Sequence, residues 1–234
     1  MSIDTTDGIR QIGRMTKLTL VPSGDAPEPA PLLDAAGRLF RLKGFAATTI
    51  RDIAQEAGLW PGSVHYRYRT KEAVLLALME RGIGISEASF RSATEGVADP
   101  IERIRLAIRA HLAMLVGNDH GIYALLYEGR QLEGESRERM ARLRDRYDAL
   151  WDGLLYQAVG TGRLRPEVDV RLTRMLILGA VNWVPQWFSP GGTLGAEQVA
   201  DAFADLILQG LLAPPAPARA RSRKSTRRST RGSR

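Results

Sequence analysis

The sequence predicts an all-α fold of about nine helices, with a three-helix N-terminal domain and a larger helical C-terminal domain. Apolar residues recur at the three- and four-residue spacing of amphipathic helices over most of the chain, and no segment alternates as a β-strand does. Between residues 48 and 71, two short helical patterns flank Gly58, which is the arrangement of a helix-turn-helix. The rest of the chain is organised around that stretch.

The composition limits the class of protein. At 234 residues, 44% of them hydrophobic, the chain is long enough to bury a sizeable core in one or two domains. No run of about 18 apolar residues predicts a membrane span, and no apolar signal segment is present near the N-terminus, so we expect a cytoplasmic protein. The chain has no cysteine, which excludes disulfides, thiolate metal sites and cysteine nucleophiles.

The net charge of +7 is unevenly distributed along the chain. Residues 31–71 contain seven basic and three acidic residues, whereas residues 72–212 contain 15 basic and 19 acidic residues. Residues 213–234 contain eight basic residues and no acidic residue. Positive charge is therefore concentrated in the helix-turn-helix region and in the tail, and both regions are expected to be attracted to phosphate backbones.

The N-terminal domain is predicted at residues 29–75, after a disordered extension at residues 1–28 that lacks periodicity and contains a turn-rich stretch. The first helix has an apolar stripe that stops at Gly44; its members are Leu32, Leu33, Ala36, Leu39 and Phe40. Thr49 is placed to cap the second helix, with Asp52 as its capping-box partner. Pro61 suits the first turn of the third helix, which is short and polar enough to enter a DNA major groove.

Residues 32–79 resemble the N-terminal domain of TetR-type transcriptional regulators. The resemblance rests on "AA..LF...G" in the first helix, "TT..IA..AG" at the turn, the recognition helix that begins with Gly62-Ser63, and the closing "TKE". It implies a homodimer that binds a palindromic double-stranded DNA operator. One position departs from the family, which usually has a phosphate-contacting tyrosine where this chain has His65, followed by Tyr66. That contact is therefore assigned to either His65 or Tyr66.

The residues predicted to contact DNA lie in and beside the second and third helices. They are Thr48, Thr49, Arg51, Trp60, Pro61, Gly62, Ser63, His65, Tyr66, Arg67 and Lys71. Hydroxyl groups and Lys71 suit phosphates, which set the register of the protein on DNA, and an arginine such as Arg67 can read guanine. The alternative interpretation is an ordinary helical hairpin whose polar residues are only solvated.

The C-terminal domain, residues 76–212, is predicted to bind a ligand and to dimerise. A long helix continues from Lys71, and further helices follow from Pro100, at residues 121–132, at 135–158, at 172–183 and at 196–212. The helix at 172–183 is apolar on nearly all sides, so we expect it to pack against both the core and a second subunit, together with the face at 199–211. The basic tail at 213–234 is predicted to be disordered, either as a solvated extension or as a DNA-binding arm.

Aromatic residues on three helices of this domain are predicted to form an apolar cavity with a few polar groups, as a small-molecule site requires. The predicted ligand-binding residues are Met114, Tyr123, Tyr127, Arg130, Tyr147, Trp151, Arg174, Asn182, Trp183 and Trp187. The alternative is plain core packing. His111 falls on the inner face of its helix, where we expect a core histidine with one hydrogen bond.

Residues 182–203 are similar to the closing segment of the TetR-type subgroup that senses acyl-coenzyme A thioesters, in which "NW...W(Y/F).P.G" precedes the last helix. The similarity implies that Trp183 and Trp187 lie near the thioester and that Arg130 or Arg174 faces a phosphate or a carboxylate. Competing ligands are aromatic compounds and lipophilic drugs.

No catalytic residue, metal site or cofactor is predicted. The three histidines lack metal-ligand spacing, and the sequence has no GxSxG, no Walker-type phosphate loop and no GxGxxG motif. The sequence thus predicts a ligand-responsive repressor that a small hydrophobic effector releases from its operator. The alternatives are a DNA-binding regulator without a small ligand, and an enzyme on a helical scaffold.

Overall fold

The computed structural model describes residues 30–117 and 119–212, and these ranges contain nine α-helices and no strand beyond an isolated bridge. The helices are α1 (Ala30–Ala47), α2 (Ile50–Glu56), α3 (Pro61–Arg67), α4 (Lys71–Thr94), α5 (Pro100–Val116), α6 (His120–Tyr127), α7 (Gly134–Gly160), α8 (Val170–Asn182) and α9 (Ala196–Leu211). The predicted all-α fold is confirmed. The predictions for residues 1–28 and 213–234 lie outside the described residues. No helix within the described ranges is long and apolar enough to cross a membrane.

The helix ends follow local signals in the sequence. Gly44 interrupts α1 with a φ of +79°, a backbone conformation that glycine adopts without strain. The Thr49 side chain accepts a hydrogen bond from the Asp52 amide, and the Asp52 carboxylate accepts one from the Thr49 amide, which completes the predicted capping box. Pro185 follows the end of α8 and lies in a short 3-10 turn, Val184–Gln186.

The described chain has two apolar cores, and α4 contributes to both. The first core joins α1–α4 to Ala124, Leu132 and Met140, and the second joins α4–α9. We call residues 30–75 the head and residues 76–212 the body. The proposed boundary between them falls inside α4, whose 24 residues make a rigid connection about 36 Å long.

The first turn of α7 lies beside the head, because the Glu133 amide donates to the Glu72 carboxylate at the start of α4. The 27 residues of α7 then extend about 40 Å away from that point. After α7, Leu164 pairs with Leu212 in an antiparallel bridge. The last described residue, Leu212, is therefore at the end of the body that is remote from the head.

Helix α6 packs against α4 without intervening side chains. A Cβ atom placed on Gly82 of α4 would lie 2.7 Å from the carbonyl carbon of Gly121, which shows that the two backbones touch. His120, the first residue of α6, lies against Gly37 of α1, where a Cβ atom would lie 2.2 Å from the His120 Cβ. Helix α6 therefore contacts both the head and α4.

Candidate nucleic-acid interface and ligand site

Helix α3 is anchored to the head by one residue and is exposed elsewhere. Val64 is fully buried in the first core, whereas the other six residues of α3 are exposed. Tyr66 is 77% exposed, and Trp60, which precedes the helix, is 64% exposed. This arrangement leaves the polar surface of α3 free to enter a major groove.

The turn before α3 is held by backbone hydrogen bonds. Gly58 adopts a φ of +68°, and the Leu59 amide donates to the Ala54 carbonyl at 2.8 Å. At the start of α2, the hydrogen bond from Lys43 to Asp52 lowers the pKa of that carboxyl group to about 2. The capping carboxylate is therefore ionised near neutral pH.

Two of the predicted DNA contacts are engaged inside the head. Thr48 is fully buried, and its hydroxyl donates to the Gly44 carbonyl at 2.8 Å, so it closes the end of α1 and does not face DNA. Lys71 donates to the Phe45 carbonyl at 2.6 Å, and its ammonium lies 4.3 Å from the Phe45 ring centroid. Both groups satisfy backbone carbonyls at the end of α1, where helix geometry leaves acceptors unpaired. The sequence pattern does not reveal these contacts.

The other predicted DNA contacts are exposed around α2 and α3. These are Thr49, Arg51, Trp60, Pro61, Gly62, Ser63, His65, Tyr66 and Arg67. Because the Thr49 oxygen accepts from the Asp52 amide, the hydroxyl proton of Thr49 is the part left for a phosphate.

The predicted ligand-binding residues form three separate groups, contrary to the single aromatic cavity expected from the sequence. The first group lies between α5, α7 and α8 and contains the buried Tyr147 and Trp151 and the half-buried Asn182. Phe90 of α4 packs edge-on against Trp151, with ring centroids 5.2 Å apart. Met114 is half-buried against the same core.

His111 connects this buried group, although it was expected only as a core histidine with one hydrogen bond. Its Nε2 lies 2.9 Å from the Asn182 side-chain oxygen, and its Nδ1 lies 2.9 Å from the Tyr147 hydroxyl. Since an amide oxygen can only accept, Nε2 carries the proton and Nδ1 accepts from Tyr147. Burial lowers the pKa of His111 to about 4 and raises that of Tyr147 to about 12, so both groups are neutral near pH 7.

The second group lies on the outside of α6. The rings of Tyr123 and Tyr127 are 4.8 Å apart, and the Arg41 guanidinium of the head lies 5.6 Å from the Tyr123 centroid. The Tyr127 hydroxyl accepts from the Gln186 side chain at 2.6 Å. This row of contacts connects the head to the turn that follows α8.

The third group is at the surface: Trp183 and Trp187 are exposed near the end of α8, and Arg130 is exposed after α6. Arg174 differs from its predicted role, because it is largely buried and forms ion pairs with Asp148 and Asp152 of α7. With both carboxylates in place, Arg174 joins α7 to α8 and does not present its charge to a ligand. The nearness of carboxylates in space, which the sequence does not show, decides this role.

Two cavities in the described part of the molecule are lined by none of the predicted ligand-binding residues. One, of about 630 Å³, lies where the start of α8 meets the end of α9 and includes Leu172 and Leu176. The other, of about 870 Å³, is an open groove between α4, α5 and α7. Tyr147, Trp151 and His111 are each at most 7% exposed, so the group around His111 is closed in this conformation.

Comparison with known proteins matches both parts of the chain. The family model described as bacterial regulatory proteins, tetR family, matches residues 32–78, and that of the tetracyclin repressor-like C-terminal domain matches residues 97–211. The solved structure of PfmR, a TetR family regulator from Thermus thermophilus, is 34% identical, has a TM-score of 0.69, and covers 76% of this chain and 97% of its own. This chain belongs to the TetR family.

Other TetR-family relatives cover a similar share of the chain. The transcriptional repressor KstR2 from Mycobacterium tuberculosis is 29% identical over 77% of this chain and 90% of its own length. The structure of AibR in complex with isovaleryl coenzyme A and operator DNA is 28% identical, has a TM-score of 0.69, and covers 75% of this chain and 95% of its own. The protein is accordingly a TetR-family DNA-binding transcriptional regulator and not an enzyme, as the sequence predicted.

Tyr66→Phe is expected to weaken operator binding of this TetR-family regulator about fivefold for each head that is bound, because each head loses one hydrogen bond of about 1 kcal/mol. The exposed hydroxyl of Tyr66 suits a phosphate contact. His65→Ala serves as the neighbouring comparison and should leave affinity nearly unchanged. Fluorescence anisotropy with labelled operator measures both variants, and the opposite ranking would assign the phosphate contact to His65.

The free energy of unfolding is expected to fall by about 2 kcal/mol between pH 7 and pH 5 because of His111. The unfolded chain takes up the proton below its ordinary pKa of 6.5, whereas the folded protein resists it until about pH 4. The contribution of neutral His111 to the free energy of unfolding is therefore fully present above pH 6.5 and is lost as the pH falls towards 4. Urea unfolding at several pH values measures this slope, which His111→Gln should flatten.

His120 needs a separate control, because burial also lowers its pKa and acts in the same direction. His120→Gln should leave most of the slope in place. A slope that persists in His111→Gln and disappears in His120→Gln would contradict the assignment to His111.

Proposed function

We propose that this chain is a homodimeric repressor that binds a palindromic operator and leaves it when a small hydrophobic effector binds, with an acyl-coenzyme A thioester as the favoured effector. Support comes from relatives whose names include a repressor and a fatty acid metabolism regulator, and from the AibR complex with isovaleryl coenzyme A and operator DNA. It also comes from three features of the body.

The first feature is an apolar face that the single chain leaves uncovered. On α8, Leu172, Met175 and Leu176 are exposed, and on α9 Leu206 is 71% exposed. Exposed apolar residues on two helices that contact each other are typical of a protein–protein interface. We assign it to a two-fold contact in which α8 and α9 of two copies form a four-helix arrangement, since two-fold dimers are the commonest assembly.

A dimer also supplies the reach that operator recognition requires. The seven residues of α3 cover only a few base pairs, whereas a two-fold pair of heads about 34–36 Å apart reads two half-sites one helical turn apart. A change in the spacing of the heads would therefore reduce operator affinity.

The second feature is the buried group of Tyr147, Trp151, His111 and Asn182. It combines aromatic surface with polar atoms, and the Trp151 indole nitrogen is buried without an acceptor in hydrogen-bonding geometry among the described residues. Because the group is closed, an effector that enters it must select a rearranged conformation. Such a ligand binds the two conformations with different affinity, which is what a shift of population requires.

The third feature carries the proposal: α8 contributes both to the buried group and to the apolar face. Asn182 accepts a hydrogen bond from His111 inside the body, while Leu176, less than two turns earlier, is exposed on the proposed dimer face. An effector that displaces Asn182 would move α8 and thereby change how the two subunits, and hence the two heads, are spaced. Trp183 and Trp187 lie at the same end of α8 and are exposed, and we assign them to the entrance of the effector site.

The test is operator release. Labelled DNA from upstream of the protein's own gene is bound by the full chain, and acyl-coenzyme A thioesters of increasing chain length are titrated in while anisotropy is recorded. Coenzyme A alone and the free acids are the controls, and thermal shift reports binding independently of DNA. We expect Trp183→Ala to weaken release without changing operator affinity in the absence of effector.

Two results would argue against the proposal in different ways. If operator binding is sequence-specific but no thioester changes either the anisotropy or the melting temperature, the acyl-coenzyme A assignment is wrong, and a panel of aromatic acids is tested next. If the full chain shows no preference for DNA from upstream of its own gene at moderate salt, that DNA does not contain the operator.

A further inference from the structure

Trp60 lies immediately before α3 but does not have the usual chemistry of a helix start. It occupies the N-cap position and forms no side-chain hydrogen bond there. Serine, threonine, aspartate and asparagine are preferred at this position because their side chains accept from the unpaired amides of the first turn, and a helix that lacks such a cap is less stable by about 1 kcal/mol. Trp60 therefore does not stabilise α3 by capping it.

Burial does not account for Trp60 either. The residue is 64% exposed, although tryptophan has a large apolar surface that gains from burial. Val64, one turn later, is the residue of α3 that is buried in the head. A large exposed apolar residue that supports neither the cap nor the core breaks the local rules of folding, and such breaks are typical of functional positions.

Gly62 provides a second and independent observation. It lies within α3, where glycine costs about 1 kcal/mol relative to alanine. A Cβ atom at this position would meet no heavy atom within 4 Å, and the backbone does not adopt a positive φ, so the described part of the chain does not itself require glycine here. Close approach of another molecule to the backbone of α3 is the remaining reason for glycine.

The first turn of α3 offers DNA few hydrogen bonds from side chains. Pro61 and Gly62 have no polar side-chain atom, and the indole of Trp60 has a single N–H donor. Residues at the start of a recognition helix contact base edges in the major groove. The C5-methyl group of thymine is the feature of those edges that an apolar side chain recognises. The apolar first turn thus suits thymine, whereas Arg67 at the other end of α3 suits guanine.

From these observations we infer that Trp60 reads the C5-methyl group of a thymine in each operator half-site. The indole ring packs against the methyl group, and Gly62 allows the backbone of α3 to come close enough to the base edges for that contact. The inference rests on the operator binding proposed above and adds the base that the first turn of α3 selects. Burial of one methyl group contributes about fourfold in affinity for each half-site.

The experiment begins with the selection of binding sites from random DNA duplexes by the full chain, and fluorescence anisotropy then gives the affinity for the selected operator. Each thymine is replaced in turn, in both half-sites, by deoxyuridine, which pairs as thymine does but lacks the methyl group. At one position we expect the replacement to weaken binding by the wild-type protein about 16-fold, fourfold from each half-site. At that position, deoxyuridine should not change binding by Trp60→Ala.

Two further variants make the assignment specific. Trp60→Phe keeps an aromatic ring and removes the indole N–H, so its affinity should still fall when deoxyuridine replaces thymine. Tyr156→Ala removes an equally exposed aromatic residue from α7 and should show the same loss as the wild-type protein. Because Trp60 is exposed and does not cap α3, Trp60→Ala should fold normally, which its melting temperature establishes.

The inference alone fails if no thymine can be replaced with a loss of affinity, or if the loss is equal in the wild-type protein and in Trp60→Ala. Insensitivity to deoxyuridine, together with a uniform loss of affinity in Trp60→Ala, would assign the indole to the sugar–phosphate backbone instead. If the selection enriches no sequence, the proposed operator binding fails together with this inference. The failure of the inference and the failure of the proposed function are thereby distinguished.

Discussion

Leu176→Glu is expected to convert the protein from a dimer to a monomer and to reduce operator affinity by roughly 100-fold or more. Leu176 is 58% exposed in the single chain and lies on the α8 face proposed to meet a second subunit. Burying two carboxylates at a two-fold contact, one from each copy, carries a desolvation penalty that no partner charge offsets. Without the dimer, the two heads no longer bind as a linked pair, and linkage of this kind contributes about 10²–10⁴ in affinity.

Analytical ultracentrifugation gives the oligomeric state, and anisotropy with the operator gives the affinity. Tyr156→Glu is the matched control, because Tyr156 is a similarly exposed large residue that belongs to α7 and not to the proposed face of α8 and α9. It should stay dimeric with wild-type affinity. A Leu176→Glu protein that remains dimeric and binds the operator normally would show that the apolar face of α8 is not the interface.

Gly82→Leu is expected to destabilise the folded protein by about 2–3 kcal/mol and to weaken operator binding as well. At this position even a Cβ atom would lie 2.7–2.8 Å from the backbone of Gly121, so α6 must move away from α4. The N-terminal end of α6 also holds His120 against Gly37 of the head. Displacing α6 therefore disturbs the packing that orients the head on the body.

Gly84→Leu provides a control two residues away on the same helix. A Cβ atom on Gly84 meets no heavy atom within 4 Å, and leucine is the better helix former, so this variant should be neutral or slightly more stable. Urea unfolding gives the free energy of unfolding of each variant. The helix-propensity contribution is the same in both and cancels in the difference between them. Equal stability of the two variants would mean that the α4–α6 contact adapts without cost.

Local structure could be predicted from the sequence because its causes are close together in the chain. The capping box of Thr49 and Asp52, the break at Gly44 and the first turn at Pro61 each depend on residues within four positions of one another. The exposure of α3 could also be predicted from nearby residues, because Val64, its only core-facing side chain, is flanked by polar residues. These features allow the surface predicted to read DNA to be located before any tertiary contact is known.

The roles of individual side chains could not be predicted in the same way. Lys71 and Arg174 look like anion-binding residues in the sequence, yet the first binds carbonyls at the end of α1 and the second binds carboxylates of α7. Both partners are more than 20 residues away along the chain. The aromatic residues that were predicted to form one cavity are likewise divided: some are buried in the core and others are exposed. Which of them are buried depends on the face that each helix turns towards its neighbours.

The sequence by itself determined the all-α fold class and the short helix at residues 61–67, because helix periodicity, capping and turn chemistry are local properties, and its motifs carried the resemblance to TetR-type regulators. Only the tertiary structure decided that Thr48 and Lys71 close α1, that His111 joins Tyr147 to Asn182, and that Gly82 and Gly121 bring two backbones into contact. The physical reason is that burial and hydrogen-bond partnership depend on which helices pack together, and residues distant in the chain supply those partners.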